Sequence, residues 1–358
     1  MAKTANPITF SNKELNRAGA SLREAPEGAP PDNALKVLQT WRAAHQKPLN
    51  AIQMWLRSVI KSENAMPIVA QRLKRVPSIV KKLKRFPTMG MSSMQDVGGC
   101  RIICRDRSSL THVVRKITKS RAKHERKIKN DYIASPKNDG YRGIHIVARY
   151  KNNNHVSEEP NSFRVEVQVR SKAQHAWATA VETVDLFQNT GMKSGNQSSS
   201  WAEFFLHISD CIAYFEDSSS ALINPHEISK QRAHELYKEL RVGERLKAYR
   251  NSLKVVGEIR RKGKEIETDA MLVLVLNTAQ DSGELRGYIF PSTNAEEANR
   301  RYLEEEQRTL GDSQKDVVLV SALGIDVLRN AYPNYFLDTR IFIQICEKIL
   351  NVGETQEK

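Results

Sequence analysis

Residues 163–170 read Phe163-Arg-Val-Glu-Val-Gln-Val-Arg170, and apolar and polar side chains alternate along this stretch without a break. Successive side chains of a β-strand point to opposite faces, so the pattern predicts a strand with one buried face. The apolar face carries Phe163, Val165, Val167 and Val169, and the polar face carries Arg164, Glu166, Gln168 and Arg170. Taken alone, the strand is typical of a sheet edge whose charged face is solvated.

Two segments upstream favour a more specific interpretation. Residues 131–145 read Asp131-Tyr-Ile-Ala-Ser-Pro-Lys-Asn-Asp-Gly-Tyr-Arg-Gly-Ile-His145 and gather Lys, Tyr, Arg and His around two glycines. Residues 96–101 read Asp96-Val-Gly-Gly-Cys-Arg101 and place an acid and a Gly-Gly turn before an apolar strand. An acid, a cationic glycine-rich loop and a second acid on a strand suit a site for metal-assisted phosphate transfer.

Four segments resemble motifs of the RelA/SpoT family, whose synthetases make the guanosine alarmones (p)ppGpp. Residues 95–101, 131–141 and 165–170 resemble the synthetase motifs, and residues 72–82 resemble the ATP-side motif. They follow the family order within roughly residues 66–190. The resemblance implies an α+β fold with a nucleotidyltransferase-like mixed β-sheet flanked by helices. It also implies a GTP diphosphokinase activity that moves the β,γ-pyrophosphoryl group of ATP to the 3′-hydroxyl of GDP or GTP.

The resemblance further implies a role for each polar residue of these motifs. Asp96 and Glu166 would be the catalytic residues and the Mg²⁺ ligands, and Glu166 would also act as general base. The ATP side would comprise Arg72, Lys74, Ser78, Lys82 and Arg101, with the arginines around adenine. The acceptor side would comprise Lys137, Tyr141, His145, Gln168 and Arg170, with Tyr141 stacked on guanine. Without the resemblance, Asp96 is explained as a turn aspartate. Tyr141 is explained equally well by stacking on a base and by covering the sheet as a loop aromatic. His145 is then explained as a structural histidine.

The chain departs from the family pattern in its acceptor loop. Where the family usually has Pro-Lys-Pro-Asn-Gly-Tyr, this chain has Pro136-Lys-Asn-Asp-Gly-Tyr141. Asp139 therefore puts a carboxylate in place of a neutral amide, which leaves the identity of the acceptor open. Ser171 replaces a frequent Thr, a mild change. The sequence contains no His-Asp doublet and only about 70 residues precede the ATP motif, so we expect a synthetase without the companion hydrolase domain.

The positive charge of the chain is concentrated in one region. The net charge is +15, and residues 66–131 hold 18 Lys and Arg against 4 Asp and Glu, which favours polyanionic partners. Residues 116–130 are expected to end a helix and continue as a mobile loop. Because a tRNA could contact such a band, one alternative is a toxic relative that pyrophosphorylates the tRNA 3′-CCA end or adenosine nucleotides. A third interpretation is an inactive RNA-binding module, which the intact Asp96 and Glu166 argue against.

Composition indicates a globular protein of ordinary type. At 358 residues, with 40% hydrophobic and 27% charged residues, the chain can bury two cores. The four cysteines, Cys100, Cys104, Cys211 and Cys346, lie in apolar sequence and are predicted to be core thiols of a reducing compartment. The first residues lack an apolar signal core and no apolar run approaches spanning length, so we expect a cytoplasmic protein with no membrane contact.

We divide the chain into four parts. They are an N-terminal arm (1–32), a synthetase domain (33–190), a helical connector (191–262) whose second half is one helix (226–257), and a smaller C-terminal α+β domain (263–353). The last part is predicted to hold a β-hairpin, an acidic helix (294–308), an apolar strand (317–320) and a turn at Tyr332-Pro-Asn-Tyr335. It shows no paired acids, so inhibition, sensing of a trigger and homo-oligomerisation are all compatible roles for it.

Overall fold

The computed structural model describes residues 10–26, 29–61, 67–151, 163–188, 199–217, 223–257, 270–277, 284–309, 312, 315–322 and 333–352. Helices in these ranges are α1 (Asn12–Glu24), α2 (Asp32–Ala44), α3 (Gln46–Ile60), α4 (Val76–Arg85), α5 (Arg107–Lys119), α6 (Lys172–Gln188), α7 (Ser200–Glu216), α8 (Ile223–Glu239), α9 (Val242–Asn251), α10 (Ala295–Arg308) and α11 (Arg340–Leu350). Strands are β1 (Ile68–Leu73), β2 (Gly98–Cys104), β3 (Glu125–Asp131), β4 (Ile144–Arg149), β5 (Arg164–Ser171), β6 (Lys254–Gly257), β7 (Ala270–Asn277), β8 (Glu284–Pro291) and β9 (Lys315–Ala322). None of these helices is long and apolar enough to span a membrane.

The strands form one mixed sheet in the order β3-β4-β5-β2-β1-β9-β7-β8-β6. β2 pairs in parallel with β5, and β6 with β8, whereas the other neighbours are antiparallel. The strand predicted over residues 163–170 is confirmed as β5, and the predicted apolar strand is confirmed as β2. β2 already begins at Gly98, so the two glycines predicted to form a turn belong to the strand. The predicted α+β class, a mixed sheet flanked by helices, is also confirmed.

One face of the β2–β5 part of the sheet is buried against α3 and α5. Val165, Val167 and Val169 of β5 are fully buried there beside Ile102 of β2. Burial of one such side chain contributes about 1.5–3 kcal/mol. A slip of one residue would instead bury Glu166 and its polar neighbours, so the valines fix the register. The cysteines are buried free thiols, as predicted.

The basic stretch 116–130 differs from its prediction. α5 ends at Lys119, and residues 125–131 form β3 rather than a mobile loop. β3 pairs antiparallel with β4, and Ile128 lies opposite Ile146. The sequence of β3 lacks the apolar alternation of β5, so only the partner strand gives it an extended conformation. Lysines along a strand at the end of a sheet also discourage pairing with other chains.

Two helical regions also differ from expectation. Within the predicted arm, residues 12–24 form α1, which starts with a capping box between Ser11 and Glu14. The buried Leu15 and Leu22 of α1 pack in one cluster with α2 and α4. The predicted single helix 226–257 is instead α8 and α9 followed by β6, and Arg241 breaks the helix with a φ of 50°.

The C-terminal strands continue the sheet of the first half. β9 pairs antiparallel with β1, where Val320 lies opposite Arg72, and Ala70 of β1 shares a buried cluster with Leu272 of β7. The predicted hairpin (β7–β8), acidic helix (α10) and apolar strand (β9) are confirmed. The proposed boundaries near residues 190 and 263, and Tyr332 of the predicted turn, lie outside the described residues.

Candidate active site

The polar faces of neighbouring strands form the floor of the site. In the parallel β2–β5 pair, Gly99 lies opposite Glu166 and Arg101 lies opposite Gln168. In the antiparallel β1–β2 pair, Arg72 lies opposite Gly99. Because side chains alternate between faces, these residues project away from the valine core, into one shared space. The sheet register therefore brings together residues that are about 100 positions apart in sequence.

A pocket opens on this face of the sheet. Its lining consists of Arg72, Lys74, Asp96, Gly99, Cys100, Arg101, Glu166 and Gln168, six of which are predicted site residues. Gly99 leaves a gap in the row between Arg72 and Glu166. A Cβ atom at Gly99 would meet no heavy atom closer than 3.8 Å. The backbone at this position does not require glycine, so the contribution of Gly99 is the volume that it leaves for the pocket.

Asp96 lies in the loop before β2 and forms two ion pairs. Its Oδ2 accepts a hydrogen bond from Lys74 Nζ at 2.8 Å, and Lys82 Nζ lies 2.8 Å from Oδ1. Lys82 is thus the ion-pair partner of Oδ1, and a carboxylate oxygen has a second lone pair for another ligand. Burial alone would raise the pKa of Asp96, but Lys74 and Lys82 outweigh it and lower the pKa to about 2.

Glu166 is held by two side chains on its own sheet face. His145 Nδ1 lies 3.2 Å from Oε1, and Gln168 Nε2 donates to Oε2 at 2.9 Å. Burial would raise the pKa of Glu166, but the hydrogen bond from His145 outweighs it and the pKa is lowered to about 2. Asp96 acts in the opposite direction, which shows that the two carboxylates interact.

Tyr141 connects the acceptor loop to Glu166. Arg170 Nε donates to the Tyr141 hydroxyl at 3.1 Å, and this hydroxyl lies 2.7 Å from His145 Nε2. The phenol proton can therefore go to Nε2, which leaves the Nδ1 proton of His145 for Glu166. Lys137 Nζ lies 4.8 Å and Arg170 Cζ 4.9 Å from the centroid of the ring. Every predicted acceptor-side residue thus belongs to one connected cluster.

The turn before Tyr141 explains the unusual Asp139. Its Oδ1 accepts the backbone N–H of Tyr141 at 2.9 Å, an Asx-type turn that an aspartate makes as well as an asparagine. Gly140 has a φ of 87°, which disfavours other residues there. The carboxylate of Asp139 therefore has a local structural partner.

Several residues at the site carried no recognisable signal in the sequence. Ser209 Oγ of α7 donates to the carbonyl of Gly140, and Asp210 Oδ1 lies 2.7 Å from Arg142 Nη2. They lie almost 70 positions beyond the loop, and their helix reads as an ordinary amphipathic one. Tyr132 packs edge-on against Tyr141 and His145. Its position inside the quoted segment 131–145 could have indicated it.

The predicted ATP side is only partly assembled around the pocket. Arg72, Lys74 and the buried Arg101 line it, and Lys82 reaches it through Asp96. Ser78 lies in the first turn of α4 and is not one of the lining residues.

The donor set can be compared with what Mg²⁺ requires. Mg²⁺ prefers one or two carboxylates and completes its coordination with water and phosphate oxygens. Asp96 and Glu166 line the same pocket, both are ionised at neutral pH, and Oδ1 of Asp96 has acceptor capacity to spare. Groups of three or more His, Cys, Asp and Glu suited to a metal are absent from the described ranges. The residues therefore fit a substrate-completed Mg²⁺ site, and do not form a complete protein cage.

The geometry agrees with a comparison of the sequence with known families. Residues 71–188 match the model described as "Region found in RelA / SpoT proteins". This segment is similar to the RelA/SpoT family. It runs from Gln71 in β1 to the end of α6 and contains every predicted site residue. The contacts from Ser209 and Asp210 of α7 come from outside the RelA/SpoT region.

The chain is also similar to individual proteins. The GTP pyrophosphokinase YjbM of Bacillus subtilis (strain 168) is 35% identical over 113 residues, which are 31% of this chain and 52% of YjbM. The GTP pyrophosphokinase YwaC of the same organism is 31% identical over 127 residues, 34% of this chain and 59% of YwaC. The chain thus spans between half and three fifths of these relatives. The crystal structure of small alarmone synthetase 1 from Bacillus subtilis bound to its product pppGpp is 24% identical, with a TM-score of 0.43, over 51% of this chain and 94% of that one.

Proposed function

We propose that this chain is an ATP-dependent pyrophosphokinase that modifies the 3′-hydroxyl of GDP or GTP and so makes (p)ppGpp. The observation that carries the proposal is the pocket in which Asp96 and Glu166 meet cations of the ATP side and a residue of the acceptor side. The RelA/SpoT match and the names of the two relatives, both GTP pyrophosphokinases, support it.

The reaction forms one bond and breaks one. The 3′-oxygen of the acceptor attacks the β-phosphorus of ATP, the bond from that phosphorus to the α,β-bridging oxygen breaks, and AMP leaves. The hydroxyl proton is lost from the 3′-oxygen. Such transfers depend mainly on positioning and on neutralising phosphate charge. Mg²⁺ held by Asp96 and Glu166 would supply part of that neutralisation.

The residues of this chain supply the rest. Arg72, Lys74 and Lys82 surround Asp96 and would bind the phosphates of ATP. Lys74 has its pKa lowered mainly by burial, and its pairing with Asp96 counteracts this. On the other side, Tyr141 would stack on the acceptor base. Lys137 and Arg170, which lie over the ring in this structure, would be partners for phosphate.

The pKa of Glu166 affects its assigned role as general base. General bases work best when their pKa lies near the working pH, and the pKa of Glu166 is about 2. The ionised carboxylate is therefore better suited to accept a hydrogen bond from the 3′-hydroxyl and to bind the cation. Removal of His145, the strongest favourable contact, would raise the basicity of Glu166.

One observation favours a second candidate, transfer to a tRNA 3′ end. A groove beside the pocket is lined by Gln95, Glu125, Arg126, Lys127, Ile128, Lys129, Val147, Arg149 and Arg164. Val147 lies opposite both Lys127 and Glu166, so the groove borders the site along one row of the sheet. A polynucleotide acceptor could occupy such a groove, whereas a nucleotide needs only the cations at its own phosphates.

The decisive experiment incubates the purified protein with γ-³²P-labelled ATP and Mg²⁺ and with GDP, GTP, adenosine nucleotides or deacylated tRNA in turn. We expect label in the guanosine product and none with the Glu166→Gln variant. Label that enters only tRNA would support the second candidate. Absence of transfer to every acceptor would contradict an enzymatic function.

A further inference from the structure

Glu306 of α10 contacts the ATP-side segment from outside the RelA/SpoT region. Its Oε1 accepts the backbone N–H of Val76, the first residue of α4, at 2.9 Å. Arg42 of α2 donates to the same oxygen at 2.9 Å and lies 2.8 Å from Oε2. Both charged side chains are almost completely buried, and Tyr302 completes the cluster with a hydrogen bond to Glu306 at 2.7 Å.

α4 needs this partner because its own sequence supplies no cap. The N-cap residue is Arg75, whose side chain makes no capping hydrogen bond. The first N–H groups of a helix have no partner within the helix, and a buried one without an acceptor is costly. Glu306 is thus the acceptor for an N–H that lies 230 residues earlier in the chain.

The same cluster also contacts the backbone next to a predicted ATP ligand. Arg42 Nη1 lies 3.5 Å from the carbonyl oxygen of Lys74, a weak contact, and Lys74 N–H donates to the carbonyl of Val97 at 2.7 Å. The backbone between Lys74 and Val76 is therefore held at both ends. Lys74 in turn carries the ion pair with Asp96.

Charge pairing lets a carboxylate occupy this position. An isolated anion at the start of α4 would repel the phosphates expected nearby, but Arg42 neutralises Glu306 with both nitrogens of its guanidinium fork. Burial would lower the pKa of Arg42, but the neighbouring Tyr302 and Glu306 outweigh it and raise the pKa. The paired group accepts the N–H without adding net negative charge to the site.

We propose that Glu306 is a positioning residue for ATP, which it serves by holding the start of α4 and, through Arg42, the backbone of Lys74. This inference rests on the proposed function, because ATP is the ligand that the segment is expected to bind. It gives the C-terminal region a role in substrate binding that the matched region of the family does not contain.

The test measures binding of α,β-methylene ATP with Mg²⁺ to the full-length chain by calorimetry, and GDP binding in parallel. Glu306→Gln should raise the Kd for the ATP analogue about tenfold, since a charge-assisted hydrogen bond is lost, and change the Kd for GDP less than about twofold. Glu305→Gln is the matched control on the same helix. The side chain of Glu305 pairs with Tyr288, Arg301 and Arg308 of its own region, so its substitution should leave both affinities unchanged.

A second variant separates positioning from stability. Breaking a buried ion pair is destabilising, whereas replacing both partners by apolar residues is often neutral. Arg42→Met combined with Glu306→Leu should therefore recover much of the stability lost in Glu306→Gln and still bind the ATP analogue weakly. If analogue affinity recovers together with stability, the cluster is structural only and the inference is wrong.

The outcomes also separate this inference from the proposed function. A wild type that binds the analogue but transfers nothing contradicts the proposed function alone. A wild type that transfers, with a Glu306→Gln variant of unchanged analogue affinity, contradicts the positioning role alone. A wild type that binds no analogue contradicts both.

Discussion

Gly99 and Glu166 lie opposite each other in the parallel pairing of β2 with β5. Glycine contributes no side chain, so the pocket extends from the Glu166 carboxylate across to Arg72. Since a Cβ atom at Gly99 would contact only the carbonyl oxygens of these two neighbours, at 3.8 and 3.9 Å, the sheet itself can accommodate a larger residue.

Gly99→Val should therefore fold normally and lose activity. Valine favours strands, but its methyl groups would fill the space between Arg72 and Glu166. Displacement of a substrate from its reactive position lowers the rate on the order of a hundredfold. Gly98→Ala is the control, because its Cβ would point to the core at ordinary distances from Leu49 and Val165. Equal activity of Gly99→Val and wild type would show that the substrates do not occupy this space.

The two acids can be tested without changing their shape. Glu166→Gln and Asp96→Asn keep the volume of each side chain and remove a negative charge from the site. We expect each to abolish transfer while circular dichroism stays that of the wild type. Substantial turnover in either variant would remove that residue from the catalytic group.

The pKa of Asp96 predicts a pH-dependent contribution to stability. Its pKa falls from an ordinary value near 3.9 to about 2 in the fold. A lowered pKa stabilises the fold above the unfolded value, and this stabilisation is lost as the pH falls through the folded value. Chemical unfolding should thus show wild type more stable than Asp96→Asn by roughly 2 kcal/mol at pH 7, with the gap closing between about pH 4 and pH 2. Asp32→Asn, at an exposed position of α2, is the control substitution for the pH series.

Substitution of Tyr141 distinguishes a stacking role from a structural one. Tyr141→Ala should raise the acceptor KM on the order of tenfold or more and the ATP KM far less, since base–aromatic stacking is worth about 1–3 kcal/mol. Tyr141→Phe keeps the ring and removes the hydroxyl that contacts His145 and Arg170. It should keep the acceptor KM and lower kcat. Equal changes in both KM values for Tyr141→Ala would indicate a structural tyrosine.

The basic edge strand decides between the nucleotide and the tRNA acceptor. Neutralising Lys123, Arg126, Lys127 and Lys129 to Gln should leave transfer to GDP and GTP nearly unchanged, with a shallow salt dependence. A tRNA bound along β3 would show a steep one, about 0.7–0.9 log units per phosphate contact. Strong labelling of tRNA that the neutralised variant loses would contradict the nucleotide acceptor.

The local sequence was sufficient to predict the structure where a single pattern indicated both the buried face and the polar candidate residues. The alternation in residues 163–170 predicted β5, its buried face and the orientation of Glu166, because a strand has a period of two wherever it lies. Local patterns in other segments predicted β2, the hairpin of β7 and β8, and the acidic helix α10. The motif residues then gave the members of the site.

The contacts among those members depend on the tertiary structure. The convergence of Arg72, Gly99 and Glu166 needs the strand order and register of β1, β2 and β5, which no local pattern records. β3 is extended only because β4 pairs with it, although its basic sequence suggests a loop. The pKa of about 2 for Asp96 arises from two lysines that the fold places beside it.

The sequence by itself indicated the candidate site residues and determined which strand faces are buried, because hydrophobic periodicity and motif spacing are local properties. Only the tertiary structure decided that the C-terminal strands extend the same sheet and that Glu306 caps α4. The N–H groups of a helix N-terminus can donate to any suitably placed carboxylate. The sequence around α4 does not indicate where along the chain that carboxylate lies. Non-local hydrogen bonds of this kind depend on tertiary packing, because packing brings together residues that are far apart in the sequence.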